Sequence, residues 1–163
     1  MLDEQIDKAF ATRPATFTDT TALQWRIAEH KRHLIQLYIA ADVLGDPLLK
    51  ERVIEYWLVH ATLYASSIAT AHHLRMVWER TGRGSGLRNL MMDHLIVCYD
   101  GHDQAQFVAW FLKLTNNAIV PGLNLDLNLW QLKWSRSPID ARARLTLPYK
   151  TLYYDAKPVK ASA

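Results

Sequence analysis

A mainly α-helical, up-and-down bundle is the fold the sequence predicts, and three observations predict it. Apolar residues recur at alternating steps of four and three over two consecutive stretches, capping and breaking residues separate the periodic stretches, and the connections are a few residues long. The expected body has about four helices plus a short N-terminal helix, followed by an extended or β-hairpin-like C-terminal arm. At 163 residues the chain falls within the roughly 100–200 that make one domain. Residues 1–163 are therefore read as a single helical-bundle domain, with 14–118 as the helical body and 121–163 as the arm.

Taken in order, residues 3–11 place Ile6, Ala9 and Phe10 on one helical face in line with the preceding Leu2, and Arg13-Pro14 closes this short docking helix. From Thr20, with Asp19 or Thr20 as N-cap, a heptad seam runs through Leu23, Ile27, His30, Leu34, Leu37, Ala41 and Leu44. Gly45 ends that helix. Asp46-Pro47 opens the next with a cap followed by proline at the first helical position, where its missing N–H costs nothing. The second seam, Val53, Trp57, His60, Tyr64, Ser67, Ala71, Leu74 and Trp78, predicts one helix over 47–80, about 50 Å long at 1.5 Å per residue.

Gly82-Arg83-Gly84-Ser85-Gly86 forms the next turn, and Ser85 caps a helix over 87–100 bearing Leu87, Leu90, Met91, His94, Leu95 and Cys98. Asp103 with Gln106 fits a capping box for a helix through Phe107, Trp110, Phe111 and Leu114, ending at Asn116-Asn117 before Pro121-Gly122. Beyond it, Leu123, Leu125, Leu127 and Leu129 alternate with Asn124, Asp126 and Asn128. This reads as a strand, since Asn and Asp are poor helix formers, although Leu123, Leu127, Trp130 and Trp134 also satisfy a helix period. Arg142–Leu147 alternates again and Thr151–Tyr154 is rich in strand formers, which predicts a hairpin or extended arm, with 157–163 disordered.

Half of the residues are hydrophobic and 21% are charged, which supports a sizeable core and argues against wholesale disorder. Cys98 is the only cysteine, which excludes an internal disulfide framework and any multi-cysteine zinc or iron–sulfur site, and fits a reducing compartment. The acidic N-terminus leads into no apolar signal segment, and no run approaches the roughly 18 apolar residues that span a bilayer. The expectation is a cytoplasmic protein with no membrane association.

Antiparallel pairing across the first turn matches residues whose numbers sum to about 91, so His30 faces His60; across the glycine turn the sum is about 166, so His72 or His73 faces His94. Facing histidines hold metal in di-iron bundles, but those sites also need carboxylates, commonly Glu three residues before His, and no Glu here precedes a His by three. The simpler reading is boundary histidines bonded to a hydroxyl such as Tyr64 or to water. Accordingly no metal and no cofactor is expected.

Cys98 lies near His94, Asp100 and His102, but it sits in the last turn of its helix, where the dipole raises a thiol pKa, so a buried structural thiol is expected. Ser66 and Ser67 read as small packing residues, and Glu51 and Glu55 as a solvated face. No catalytic signature emerges.

The glycine turn, which contains Arg83 and is flanked by Arg75, Arg80 and Arg88, precedes a helix N-terminus and with Ser85 forms a candidate phosphate contact, although it lacks the Lys-Ser/Thr of a Walker loop. An ordinary interhelical turn is the competing reading. Residues 1–81 carry a net charge of −1 and residues 82–163 a net +4, which sum to the +3 of the chain. Lys133, Arg136, Arg142, Arg144 and Lys150 in the arm interleave with Trp130, Trp134, Tyr149, Tyr153 and Tyr154, a mixture suited equally to nucleic-acid backbone, to a subunit interface and to plain packing on the bundle.

The functional expectation is a non-enzymatic assembly or accessory subunit. It contacts nucleic-acid backbone or a neighbouring subunit through the glycine turn and the basic arm, with self-association or a larger complex as its setting. The alternative is a protein–protein adaptor or secretion-type chaperone without nucleic-acid binding. A metal- or haem-binding bundle ranks third.

Overall fold

The computed structural model describes residues 20–65, 70–101, 103–116 and 119–155. These residues form eight α-helices and one 3₁₀ helix, and no strand occurs among them. The helices are α1 (Thr20–Leu44), α2 (Pro47–Val59), α3 (Ala61–Ala65), α4 (Ala71–Arg80), α5 (Gly86–Gly101), α6 (Gln104–Asn116), α7 (Leu123–Trp134) and α8 (Ala141–Arg144), with the 3₁₀ helix at Leu147–Tyr153. The expected N-terminal docking helix, Ser66, Ser67, His102 and 157–163 lie outside the described residues.

The α1–α2 hairpin follows its sequence signals. Gly45 adopts the left-handed φ of 68° that terminates α1, and the Asp46 N–H returns to the Ala41 carbonyl at 2.9 Å. The Asp46 carboxylate then accepts from the Leu49 N–H at 3.0 Å, with Pro47 at the head of α2. Ile27, Leu34, Ile35, Tyr38 and Ala41 of α1 are buried against Val53, Ile54, Trp57 and Leu58 of α2.

The single helix expected over 47–80 is instead three. α2 stops at Val59, where the His60 N–H folds back to the Trp57 carbonyl at 3.1 Å. Thr70 starts α4 afresh: its hydroxyl accepts from the His73 N–H at 3.2 Å, while its own N–H reaches His73 Nδ1 at 3.4 Å. A heptad seam cannot distinguish a straight helix from one that restarts in phase, whereas a side chain competing for free N–H groups can restart it. The restart lets α4 pack on α1 and α5.

α5 is the central element, packed by α2, α3, α4, α6, α7, α8 and the 3₁₀ helix. Leu87, Leu90, Met91, Asp93, His94 and Cys98 are fully buried, as befits a helix surrounded on all sides. α6 opens with the Asp103 carboxylate accepting from the Gln106 N–H at 3.0 Å, and buries Phe107 and Leu114.

The strand expected at 123–129 and the extended arm after it are corrected by the structure. Residues 123–134 form α7, a helix apolar on two opposite faces. Leu123 and Trp130 face the core with Leu127 and Trp134 beside them, while Leu125, Leu129 and Leu132 face outward at 50%, 50% and 70% exposure. Leucines on both faces of a helix alternate with polar residues in sequence just as a strand does, so the period-two pattern was degenerate. Residues 141–155 fold back on α5 as α8 and the 3₁₀ helix. The Asp140 carboxylate caps α8 through the Ala143 N–H at 2.8 Å, and Pro148 occupies the first turn of the 3₁₀ helix.

Candidate functional site

Two buried carboxylates organise the glycine turn and the C-terminal third. Asp93 of α5, with no exposed surface, accepts from Arg144 Nε (2.9 Å) and Nη2 (2.5 Å), Trp130 Nε1 (2.8 Å) and the Tyr153 hydroxyl (2.7 Å). Asp126 of α7 accepts from Trp78 Nε1 (2.9 Å), Arg83 Nε (3.1 Å) and Arg88 Nη1 (3.0 Å). Arg88 also donates to the Trp78 and Thr81 carbonyls at 2.8 and 2.5 Å, closing the C-terminus of α4.

These networks sort the residues singled out in the sequence. Arg144, Trp130 and Tyr153 are core residues, so their expected outward roles in phosphate or partner contact are replaced by the Asp93 network. A polar group this deep is retained only where its partners are also buried. Lys150 pairs with Glu55 at 2.7 Å, and the Tyr154 hydroxyl donates to the same carboxylate at 2.9 Å, so both strap the 3₁₀ segment to α2. Arg75 pairs with Glu79 at 2.6 Å on the exposed face of α4. Arg80, Lys133, Arg136 and Arg142 are exposed, and Trp134 and Tyr149 are half-buried.

At the N-terminus of α5 the expected phosphate position is held by the chain itself. The Gly86 N–H donates to Asp155 Oδ1 at 2.8 Å, and the Arg88 N–H donates to the Ser85 hydroxyl at 3.3 Å. Asp155 also accepts from the Tyr38 hydroxyl at 2.7 Å and from Lys50. Burial works against the Asp155 charge, but the Gly86 N–H, Lys50 and Tyr38 outweigh it and hold the carboxyl below its ordinary range. Gly86 is required for a different reason than phosphate approach: a Cβ there would lie 1.6 Å from the Tyr153 carbonyl oxygen.

The glycine turn and α7 nevertheless meet in one recess of about 400 Å³, lined by Arg83, Gly84, Arg88, Trp130 and Lys133 among others. Lys133 Nζ stands over the Trp130 and Trp134 rings at 5.2 and 5.6 Å. A second, apolar cleft of about 200 Å³ lies between α5, α6 and α7, with Tyr99, Phe107 and Leu127 in its walls.

Among the histidines, His30 Nδ1 lies 2.7 Å from the Tyr64 hydroxyl, and the His30 and His60 rings are 6.5 Å apart, as the hairpin register requires. Burial, then the neighbouring His60 and His33, push His30 down to about 4. His73, on α4, is likewise pushed down to about 4 by burial and by Lys31. His94 faces Lys31 Nζ at 3.5 Å and Cys98 Sγ at 3.7 Å. The fully buried Lys31, which donates to the Tyr64 carbonyl at 3.3 Å, is pushed down to about 8 by burial. Sequence reasoning passed over Lys31, Asp93 and Asp126; the available signal was a charge placed on an otherwise apolar helix face. Among the described residues no group of three or more His, Cys, Asp or Glu could hold a metal ion, and no helix is long and apolar enough to cross a membrane.

Comparison of the chain with protein-family models, curated proteins and solved structures finds no match.

Proposed function

We propose that the protein is a non-enzymatic assembly subunit that pairs with a second copy of itself through the outward face of α7. The observation that carries this reading is the leucine stripe Leu125, Leu129 and Leu132, at least half exposed on the side of α7 opposite the core. A helix apolar on both faces is stable when both faces are covered, and an exposed stripe of this kind marks a contact surface. One side of the stripe is flanked by the uncharged Asn124, Asn128 and Gln131 and the other by the exposed Lys133, so a two-fold contact centred toward the uncharged side avoids like-charge repulsion. The C-terminal cations weigh toward subunit contact as well, because Arg88, Arg144 and Lys150 are engaged by carboxylates of the same chain.

Sedimentation over a concentration series tests the reading. A dimer that dissociates on Leu129→Glu or Leu132→Glu, with helical circular dichroism retained, supports it. A monomer at every concentration overturns it, and a mixed complex with another protein moves the function to the adaptor class. A second reading, contact with nucleic-acid backbone, draws on the exposed Arg80, Arg136 and Arg142. It requires binding that weakens steeply with salt, and salt-insensitive binding removes it.

A further inference from the structure

The recess between the glycine turn and α7 borders the leucine stripe at Leu129 and carries a separate inference, which rests on its cations. Its lining holds three cations, Arg83, Arg88 and Lys133, and one carboxylate, Asp126, for a net charge of +2. Asp126 is satisfied by Trp78, Arg83 and Arg88 and has only 5% of its side chain exposed, so it is a support for the guanidiniums and not a cation ligand. Arg88 is fixed by its carbonyl contacts. Arg83 is different: among the described residues it uses only Nε, toward Asp126, its side chain is 66% exposed, and no partner there takes its two terminal nitrogens. Lys133 is the other available donor, since among the described residues it makes no ion pair and is held over the two indole rings.

Arg83 and Lys133 therefore present donors to the same recess from different elements, each held in place by its support, Asp126 for one and the indoles for the other. Apolar walls from Met92, Leu129 and Leu152 adjoin these donors. A guanidinium edge combined with a separate ammonium suits an anion with several acceptor oxygens. The volume of about 400 Å³ falls in the range of small-molecule pockets. We infer that this recess binds a phosphate group between Arg83 and Lys133, carried on a ligand of mononucleotide size whose flat or apolar body lies against Met92, Leu129 and Leu152.

The test uses the full chain, ¹⁵N-labelled, titrated with adenosine 5′-monophosphate and separately with adenosine. The expected result is saturable movement of the Trp130 and Trp134 indole resonances by the monophosphate, with adenosine at least tenfold weaker. Lys133→Ala weakens the monophosphate about tenfold, the loss of one charge-assisted contact, and Lys133→Arg restores it. Because Lys133 is exposed, its variants keep the fold, and Arg83→Gln provides a second reading from the other wall. A thymidine octanucleotide that competes with the monophosphate identifies nucleic-acid backbone as a source of the phosphate, and absence of competition identifies a free nucleotide. Equal binding of adenosine and its monophosphate, or a monophosphate affinity unchanged in both Lys133→Ala and Arg83→Gln, overturns the inference.

Discussion

The guanidinium of Arg144 and the carboxylate of Asp93 meet in a two-pronged contact, Nε at 2.9 Å and Nη2 at 2.5 Å, with 4% and 0% of the two side chains exposed. Fifty-one residues of chain separate them, and their pairing draws Trp130 and Tyr153 onto the same carboxylate. A buried pair with every remaining lone pair satisfied is costly to break from one side, because the surviving charge is left in the core. Asp93→Ala is expected to lower unfolding stability by about 3–5 kcal/mol in urea titrations. Asp93→Leu combined with Arg144→Met is expected to cost less than either single change, which a double-mutant cycle measures. Additive losses would show that the two residues act separately.

Gly86 and Tyr153 define the second expectation. A methyl group at 86 would lie 1.6 Å from the Tyr153 carbonyl oxygen, and backbone cannot step aside as a flexible side chain does. Gly86→Ala is therefore expected to cost about 1–3 kcal/mol and to loosen the segment that Asp155 clips to α5. Limited proteolysis reads this directly, with faster cleavage in 141–155 than in α1 or α2. An unaltered cleavage pattern would mean that the turn glycine serves only the turn.

Buried bases contribute two windows to the pH dependence of stability. His30 and His73 titrate near 4 in the folded chain against 6.5 when exposed, so the unfolded chain binds more protons between those values. Stability is expected to fall as pH drops from 6.5 toward 4, by up to about 3 kcal/mol for each histidine, and His73→Leu should flatten part of that loss. Lys31, near 8 in the fold and 10.5 outside it, makes stability rise with pH above 8. Lys31→Met should remove that rise and leave the protein more stable at neutral pH, by up to about 3 kcal/mol. Urea midpoints of the variants and the parent chain across pH report both windows, and parallel profiles would contradict the assignment.

Much of the helical body was legible in the sequence because its signals are local. Gly45, Asp46 and Pro47 determine one hairpin turn through backbone conformation and a single cap, and the register of that hairpin brings His30 beside His60. Asp103 caps its helix by the same short-range contact. Periodicity carried the reading as far as a helix has one apolar face and failed where α7 has two, since Leu123 and Leu125 would share one face of a strand but point opposite ways in a helix, and the same alternating run fits both.

The candidate site depended on contacts between distant segments. Composition alone identified a C-terminal half with net charge +4 and abundant aromatics, a description equally suited to an exposed basic arm and to a folded segment. Tertiary structure decided which cations face outward, because burial of Asp93 and Asp126 compels partners: Arg144 and Arg88 are drawn inward, while Lys133 stays on the surface. A net charge counts residues, whereas the field a ligand meets depends on which charges are already neutralised within the chain, and that follows from the packing of α5 against α7, α8 and the 3₁₀ helix.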